Sequence, residues 1–344
     1  MITKLRVQNF RKHEDFTVDF TPGTSIVIGL NGSGKTSLIE AIHIALQGKS
    51  WRSNFSDILR TGADWWRVDI EFDDGEKRVV RFENGEKNFE IDSIKSKILT
   101  AKNKKPVVLF EPNDLNLLYG SPSRRRDFFD NFIEQIDVNY HKYINDFNRI
   151  LSQRNNLLRQ GSTLEEMFVW DIQFANVAAQ IIKRRKFWAK EITKLLSLIY
   201  RSISDNNDVV EVIYLYYQDS ENIEQNILNE LRNNFQKETT IGYTTYGPHR
   251  HDFLIKLNNN KASDTASRGE NRTIILAIKN SLKEFLTVKN KNPILLYDDV
   301  FGELDELHEL GLMNLEKSSS QVIVTGLSNL LIPGSDADIN YHYI

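Results

Sequence analysis

The sequence predicts an α/β protein whose nucleotide-binding head is split by a helical insertion. Three observations carry that reading. The stretch Gly29-Leu30-Asn31-Gly32-Ser33-Gly34-Lys35-Thr36 fits the phosphate-loop pattern and stands between a strand-like run and a helical one. A buried-strand run, Pro293-Ile294-Leu295-Leu296-Tyr297, ends in the acids Asp298 and Asp299 near the other end of the chain. Between them, residues 121 to about 204 keep a helical pattern with no proline after Pro122. The expected division is a head of residues 1–120 and 205–344, interrupted by a helical domain of residues 121–204.

The elements follow in order. Residues 2–7 and 13–20 alternate as strands, the second ending at Thr21-Pro22-Gly23. Residues 25–28 form the apolar strand into the phosphate loop, and residues 37–47 the helix after it. Residues 66–72, 78–82 and 88–91 are short strands parted by Asp74-Gly75 and Asn84-Gly85, the mark of an antiparallel meander. Residues 107–110, closed by Pro112, are a buried strand. In the insertion, Phe132, Ile136, Tyr140, Ile144, Phe147, Leu151 and Leu158 recur at helical steps. Beyond Gln160-Gly161-Ser162, a second stripe of near-heptad spacing runs from Trp170 through Phe174, Ile181 and Trp188 to Ile199. Both an antiparallel arm and a compact helical lobe satisfy these stripes. Then come a strand at 209–217, a helix at 221–235, a strand at 251–257 and a helix at 269–286. A strand at 294–297, one more helix and a strand at 321–325 complete the chain.

Bulk properties bound the function. The chain has 344 residues, 40% hydrophobic and 26% charged, enough for a sizeable core. Its net charge of −3 means that binding to nucleic acid must use local basic patches. With no cysteine, disulfides, thiolate metal sites and a cysteine nucleophile are excluded. The seven histidines are scattered without metal-ligand spacing. No signal-peptide core opens the chain and no apolar run is long enough for a membrane helix, so a cytoplasmic location is expected.

The phosphate loop points to a nucleoside triphosphate and Mg²⁺. Its glycines let backbone N–H groups wrap a phosphate, and the following helix turns its positive end to the same anion. Gly29, Asn31, Gly32, Ser33, Gly34, Lys35, Thr36 and Ser37 are the expected phosphate-binding set. Lys35 would reach the β- and γ-phosphates and Thr36 would hold Mg²⁺. Asp298, at a buried strand end, fits the second metal ligand, and Asp299 stands where a base for the attacking water belongs. Paired acids after a strand also make ordinary helix caps.

Ser267-Arg268-Gly269-Glu270-Asn271-Arg272 resembles the signature motif of ATP-binding cassette ATPases. There a serine and a glycine meet the γ-phosphate from the opposite subunit. A helix cap is the simpler reading of the same residues. Gly302-Glu303-Leu304-Asp305 resembles the D-loop of that superfamily. Taken together with Asn9-Phe10-Arg11, Glu111-Pro112-Asn113-Asp114-Leu115, the run from Gly120 to Asp130, and Tyr246-Gly247-Pro248-His249-Arg250-His251-Asp252, the chain resembles the bacterial RecF family over nearly its whole length. That resemblance implies a P-loop ABC-type ATPase head with an antiparallel β subdomain and an inserted helical arm domain. It implies an ATP-dependent homodimer that binds double-stranded DNA or single/double-strand junctions. It also implies RecR and RecO as partners and a role in loading RecA at gaps. Ser267 and Gly269 would then act in trans, with Asp305 in the D-loop. His251 stands where the family usually has an acid, Gly302 where serine is usual, and Glu270-Asn271 where glutamines are usual. Thr325-Gly326 occupies the place of the transporter histidine, which RecF proteins also lack. Asp299 is a methylene shorter than the glutamate common in cassettes, which predicts slow turnover.

Three basic clusters are candidates for DNA: Arg124, Arg125 and Arg126; Lys183, Arg184 and Arg185; and Lys102, Lys104 and Lys105. For any one of them a solvated face is the ordinary alternative. Rival readings are a membrane-transporter energising subunit, which shares the head motifs, and a small-molecule kinase.

Overall fold

The computed structural model describes residues 1–204, 206–216, 222–289, 291–299, 320–326 and 339–344. In chain order the strands and helices are β1 (Ile2–Phe10), β2 (His13–Asp19), β3 (Thr24–Ile28), α1 (Lys35–Gln47), β4 (Trp65–Phe72), β5 (Lys77–Glu83), β6 (Glu86–Ile91), β7 (Ile94–Ser96) and β8 (Val107–Phe110). There follow α2 (Asn116–Tyr119), α3 (Pro122–Ile136), α4 (Tyr140–Gln160), α5 (Leu164–Ser204), β9 (Val210–Leu215), α6 (Ile223–Ile241), β10 (Asp252–Leu257) and β11 (Asn260–Lys261). The chain ends with α7 (Ala262–Thr265), α8 (Arg268–Val288), β12 (Ile294–Asp298), β13 (Val322–Gly326) and β14 (Ile339–Tyr343). Two compact units result, Met1–Asp114 with Leu282–Ile344, and Leu115–Ser281.

The first unit is built on two sheets. One has the order β2-β1-β4-β5-β6-β7 and is antiparallel throughout. The expected meander is there, turning at Gly75 and Gly85, both with positive φ. The other, in the order β14-β3-β13-β12-β8, is parallel. Its central strands β12 and β13 are buried at every position, as parallel strands covered on both faces must be. Helix α1 packs against β1 and β4 of the first sheet and β12 and β13 of the second. It is therefore buried nearly all round, and its apolar residues join one core with Leu5, Trp66, Val68 and Leu296. This is an α/β head with an antiparallel β subdomain, the architecture that the family resemblance implies.

The second unit joins helices to the small sheet β11-β10-β9. Pro122 opens α3 at its first turn, with the Ser121 side chain accepting from the Arg124 N–H. Gly161, in the left-handed conformation, ends α4 and turns the chain into α5. The two long helices pack on one another, but α5 also packs on β9 and α6. Thr193 and Ser197, a turn apart on α5, hydrogen-bond both the N–H and the C=O of Val212 and Val210. They thereby satisfy the outer edge of β9, which would otherwise present unpaired backbone. Packing of this kind groups residues 210–215 and 252–257 with the helices. The expected functional division at residues 120 and 205 is a separate matter from these compact units. Among the described residues, no helix is long and apolar enough to cross a membrane.

Candidate functional site

The phosphate loop leaves β3 and enters α1 through two left-handed glycines, Gly32 and Gly34. Gly34 is required twice over. Its φ of 112° suits glycine, and a Cβ there would collide with the imidazole of His13, whose Nε2 lies 3.1 Å from the Gly34 carbonyl. Gly29 is equally confined, because a Cβ would meet Ser33 Oγ and Ile344. Asn31 and Gly32 are exposed, and the Ser33 hydroxyl is buried without a hydrogen-bond partner. Lys35 is buried, its ammonium donating to the carbonyls of Gly29 (2.8 Å) and Leu30 (3.1 Å). Ser37 lies in the first turn, its N–H donating to the Gly34 carbonyl.

Thr36 and Asp298 come together across 262 residues of sequence. The Thr36 hydroxyl donates to Asp298 Oδ1 at 2.8 Å, and Thr325 donates to the same oxygen at 3.0 Å. Burial raises the Asp298 carboxyl's pKa, against the opposing hydrogen bonds of Thr36 and Thr325. Asp299 has a φ of 53°, unusual for a side-chain-bearing residue, and its N–H is held by Thr325 Oγ1 at 3.0 Å. Strain of this kind at a strand end tends to mark functional positions. A hydroxyl and a carboxylate are hard oxygen donors, and with the unsatisfied Ser33 hydroxyl nearby in the loop they suit Mg²⁺ shared with phosphate.

Behind the loop lies a cluster that the motifs do not announce. Glu40, fully buried on α1, accepts from both Arg11 and Arg52 and from Ser50 and Ser53. Burial pushes its carboxyl up, but the bonds from Arg11, Arg52 and Ser50 outweigh this and hold it at about 2. Arg11 takes a left-handed backbone (φ 57°) where β1 turns into β2. Lys12 donates to the Gly32 carbonyl at 2.7 Å. Sequence reasoning missed this layer, since its partners are scattered in sequence.

The remaining expected residues fall as follows. Ser267, exposed at the start of α8, accepts from the Glu270 N–H, while the Glu270 carboxylate accepts from the Ser267 N–H. This is a reciprocal capping box. Asn271, fully buried, donates to the Ala266 carbonyl and to the Tyr119 hydroxyl, fixing the turn that presents Ser267. A Cβ at Gly269 would meet nothing within 4 Å, so packing within the chain does not require glycine there. Asp305 and the neighbouring Gly302 lie outside the described residues.

Of the basic clusters, Arg124 and Lys183 are exposed. Arg125 makes a two-pronged pair with Asp252 at 2.8 and 2.7 Å, and Arg126 donates to the His251 carbonyl. Arg184 pairs with Asp137. Arg185 departs from the expectation. It is 3% exposed, bound by Asp130 at 2.8 and 2.7 Å and donating to the Pro248 carbonyl, so its guanidinium cannot meet a DNA phosphate. A basic run suggests a surface, but here the third residue of the run points into the core. Lys105 pairs with Glu76 at 3.4 Å. His249 and Arg250 both reach the Thr244 carbonyl, and His251 Nδ1 lies 2.6 Å from the Tyr214 hydroxyl, which are structural roles.

Burial also sets a pH limit on the fold. It lowers the imidazoles of His43 and His249 to about 4 and that of His251 to about 3. An unfolded chain takes up these protons near the ordinary value of about 6.5, before the folded chain does. Their contribution to stability is therefore full above pH 6.5 and is lost as the pH falls toward 4. Urea midpoints are expected to drop between pH 7.5 and 4.5; equal midpoints would show that these rings titrate alike in both states.

Comparison with known proteins gives a consistent family. The AAA domain family matches residues 4–309. DNA replication and repair protein RecF of Clostridium perfringens is 33% identical, the alignment covering 96% of this chain and 94% of the relative. RecF of Natranaerobius thermophilus is 31% identical over 95% of this chain and 91% of the relative, and that of Staphylococcus carnosus 30% over 99% and 96%. The solved structure of the recombination mediator protein RecF-ATP in the RecFOR pathway has a TM-score of 0.86 at 30% identity, covering 98% of this chain and 93% of the other. An SMC head bound to the C-winged helix domain of ScpA has a TM-score of 0.57 at 18% identity, a likeness of fold alone.

Proposed function

The chain belongs to the RecF family of DNA replication and repair proteins, and from that premise we propose that it is an ATP-dependent DNA-binding recombination mediator that dimerises on ATP and hydrolyses it slowly. The observation that carries the reading is the Thr36–Asp298 contact, which joins the phosphate loop to the acid-bearing strand end. Residues 1–120 and 205–344 form the functional head in this reading, and residues 121–204 its helical insertion.

Gly29, Asn31, Gly32, Ser33, Gly34 and Ser37 offer N–H groups and hydroxyls to the ATP phosphates, and Lys35 exchanges its two carbonyl partners for phosphate oxygens. Thr36 and Asp298 hold Mg²⁺, which when bound neutralises charge on the β- and γ-phosphates. Ser267, with its hydroxyl proton still to give, and the uncrowded Gly269 backbone face the γ-phosphate of a second copy. Asp305 belongs to the same interface. Asp299, directly after β12, accepts the proton of the attacking water. DNA, double-stranded or at a single/double-strand junction, meets Arg124, Lys183 and neighbouring bases through its phosphates, so binding is salt-dependent and independent of sequence. RecR and RecO are the protein partners, the work is assistance in loading RecA at gaps, and the setting is the cytoplasm. Membership of this family leaves the transporter and kinase readings without support.

Asp299→Asn tests the cycle. With ATP it is expected to persist as a dimer in sedimentation, at twice the mass seen without ATP, while hydrolysis falls about 10²-fold or more. A monomer at saturating ATP would sink the reading.

A further inference from the structure

The first turns of α5 leave an apolar face uncovered. Leu164, Phe168 and Ile172, successive turns apart, are 49%, 48% and 44% exposed, and Val169 beside them 58%. Next to this face lies a surface cavity of about 380 Å³, lined by Leu164, Glu165, Phe168 and Asp171 of α5 and by Leu228 and Arg232 of α6. That volume is at the small end for ligand pockets and suits inserted side chains better than a large cofactor. Contiguous apolar surface rimmed by polar groups usually marks an interaction site.

The charge around the cavity narrows the partner. Asp171, 5% exposed, accepts from Arg154 Nε at 2.8 Å. Arg154 also donates to Glu238 at 2.7 Å and to Thr244 at 2.7 Å, and its Nη2 is buried without a partner. Arg232 also acts on Asp171, so Asp171, Glu238 and Glu165 face the two guanidiniums of Arg154 and Arg232, leaving one net negative charge beneath an apolar mouth. At the rim Glu166 follows Glu165 in the first turn of α5. An acidic, apolar groove repels nucleic-acid phosphates and anionic lipid alike. It complements a protein segment that carries a cation beside its hydrophobic anchor.

We infer that this groove docks a helix of a partner protein, which inserts one large apolar side chain between α5 and α6 and turns a lysine or arginine toward Asp171. The mode is helix-in-groove recognition, with Phe168 and Leu228 as walls and Asp171 as the charged floor.

The inference rests on the proposed function only for its probes, purified RecR and RecO of the same organism. Binding of each to the full-length protein is measured with ATP present, for wild type, Phe168→Glu and Glu165→Lys. Both changes are at exposed positions, and circular dichroism checks the fold. Phe168→Glu is expected to weaken binding of one of the two proteins at least tenfold and Glu165→Lys several-fold, with ATP binding and ATP-induced mass unchanged. Unchanged affinity for both proteins overturns the inference, as does failure of wild type to bind either. So does a loss of self-association or of DNA binding in Phe168→Glu, which would assign the groove to a second copy or to nucleic acid. Failure of the ATP-dependent dimer in wild type would instead count against the proposed function, and leaves the groove measurement readable by itself.

Discussion

Lys35→Met is expected to stay monomeric at ATP concentrations that dimerise the wild type, and to lose hydrolysis by about 10²–10³-fold, the usual cost of removing one charged phosphate contact. The lysine is buried and holds two carbonyls of its own loop, Gly29 and Leu30, so methionine of similar length keeps the packing while removing the charge. Those carbonyls lose hydrogen bonds, and a modest loss of stability accompanies the functional one. Melting with and without ATP separates the two effects. Wild type gains stability with ATP by mass action, and Lys35→Met gains none. A variant that melts like wild type and is still stabilised by ATP would show that Lys35 is not in the nucleotide site.

Arg154→Leu is the substitution expected to damage the fold most. It strips the ion-pair partner of Asp171 at 2.8 Å and of Glu238 at 2.7 Å, both in the interior of the helical unit. Breaking a buried pair while leaving its carboxylates costs about 3–5 kcal/mol, more than replacing the whole cluster with apolar groups would. Urea denaturation is expected to show that loss. Adding Asp171→Asn and Glu238→Gln to the variant returns part of it, because the stranded charges go with them. Burial already raises the Asp171 carboxyl against the pull of Arg154, so in Arg154→Leu it protonates more readily and the deficit narrows as the pH falls. Equal stability of Arg154→Leu and wild type would mean that the cluster is hydrated.

Local sequence carries most of the nucleotide site. Phosphate-loop residues are contiguous, and their strand and helix are read from neighbouring apolar spacing, which survives folding unchanged as β3 and α1. The long α5 was legible for the same reason, since its apolar stripe resumes at Trp188 after the basic run of residues 183–186. Contacts between distant residues were not legible. Arg185 sits in a basic run, and only the fold brings Asp130, 55 positions earlier, to its guanidinium. Thr193 and Ser197 read as polar positions on a helix surface, yet they close the edge of β9. Glu40 looks like one more helix carboxylate until Arg11 and Arg52 converge on it. At Ser267 the cap and the signature were rival readings of the same residues. The cap is present, and a serine that accepts one backbone N–H still has a hydroxyl proton for a phosphate.

The central claim is that each ATP is held between Lys35 of one copy and Ser267 of another. Mixing Lys35→Met with Ser267→Arg tests it most directly. Each variant alone is predicted to be inactive and monomeric with ATP. Mixed in equal amounts, they pair to form one site with both residues intact, so ATP hydrolysis and a dimeric mass reappear, at up to about half the wild-type activity. Activity that stays absent in the mixture, with both variants folded, or Ser267→Arg fully active by itself, would contradict the shared site.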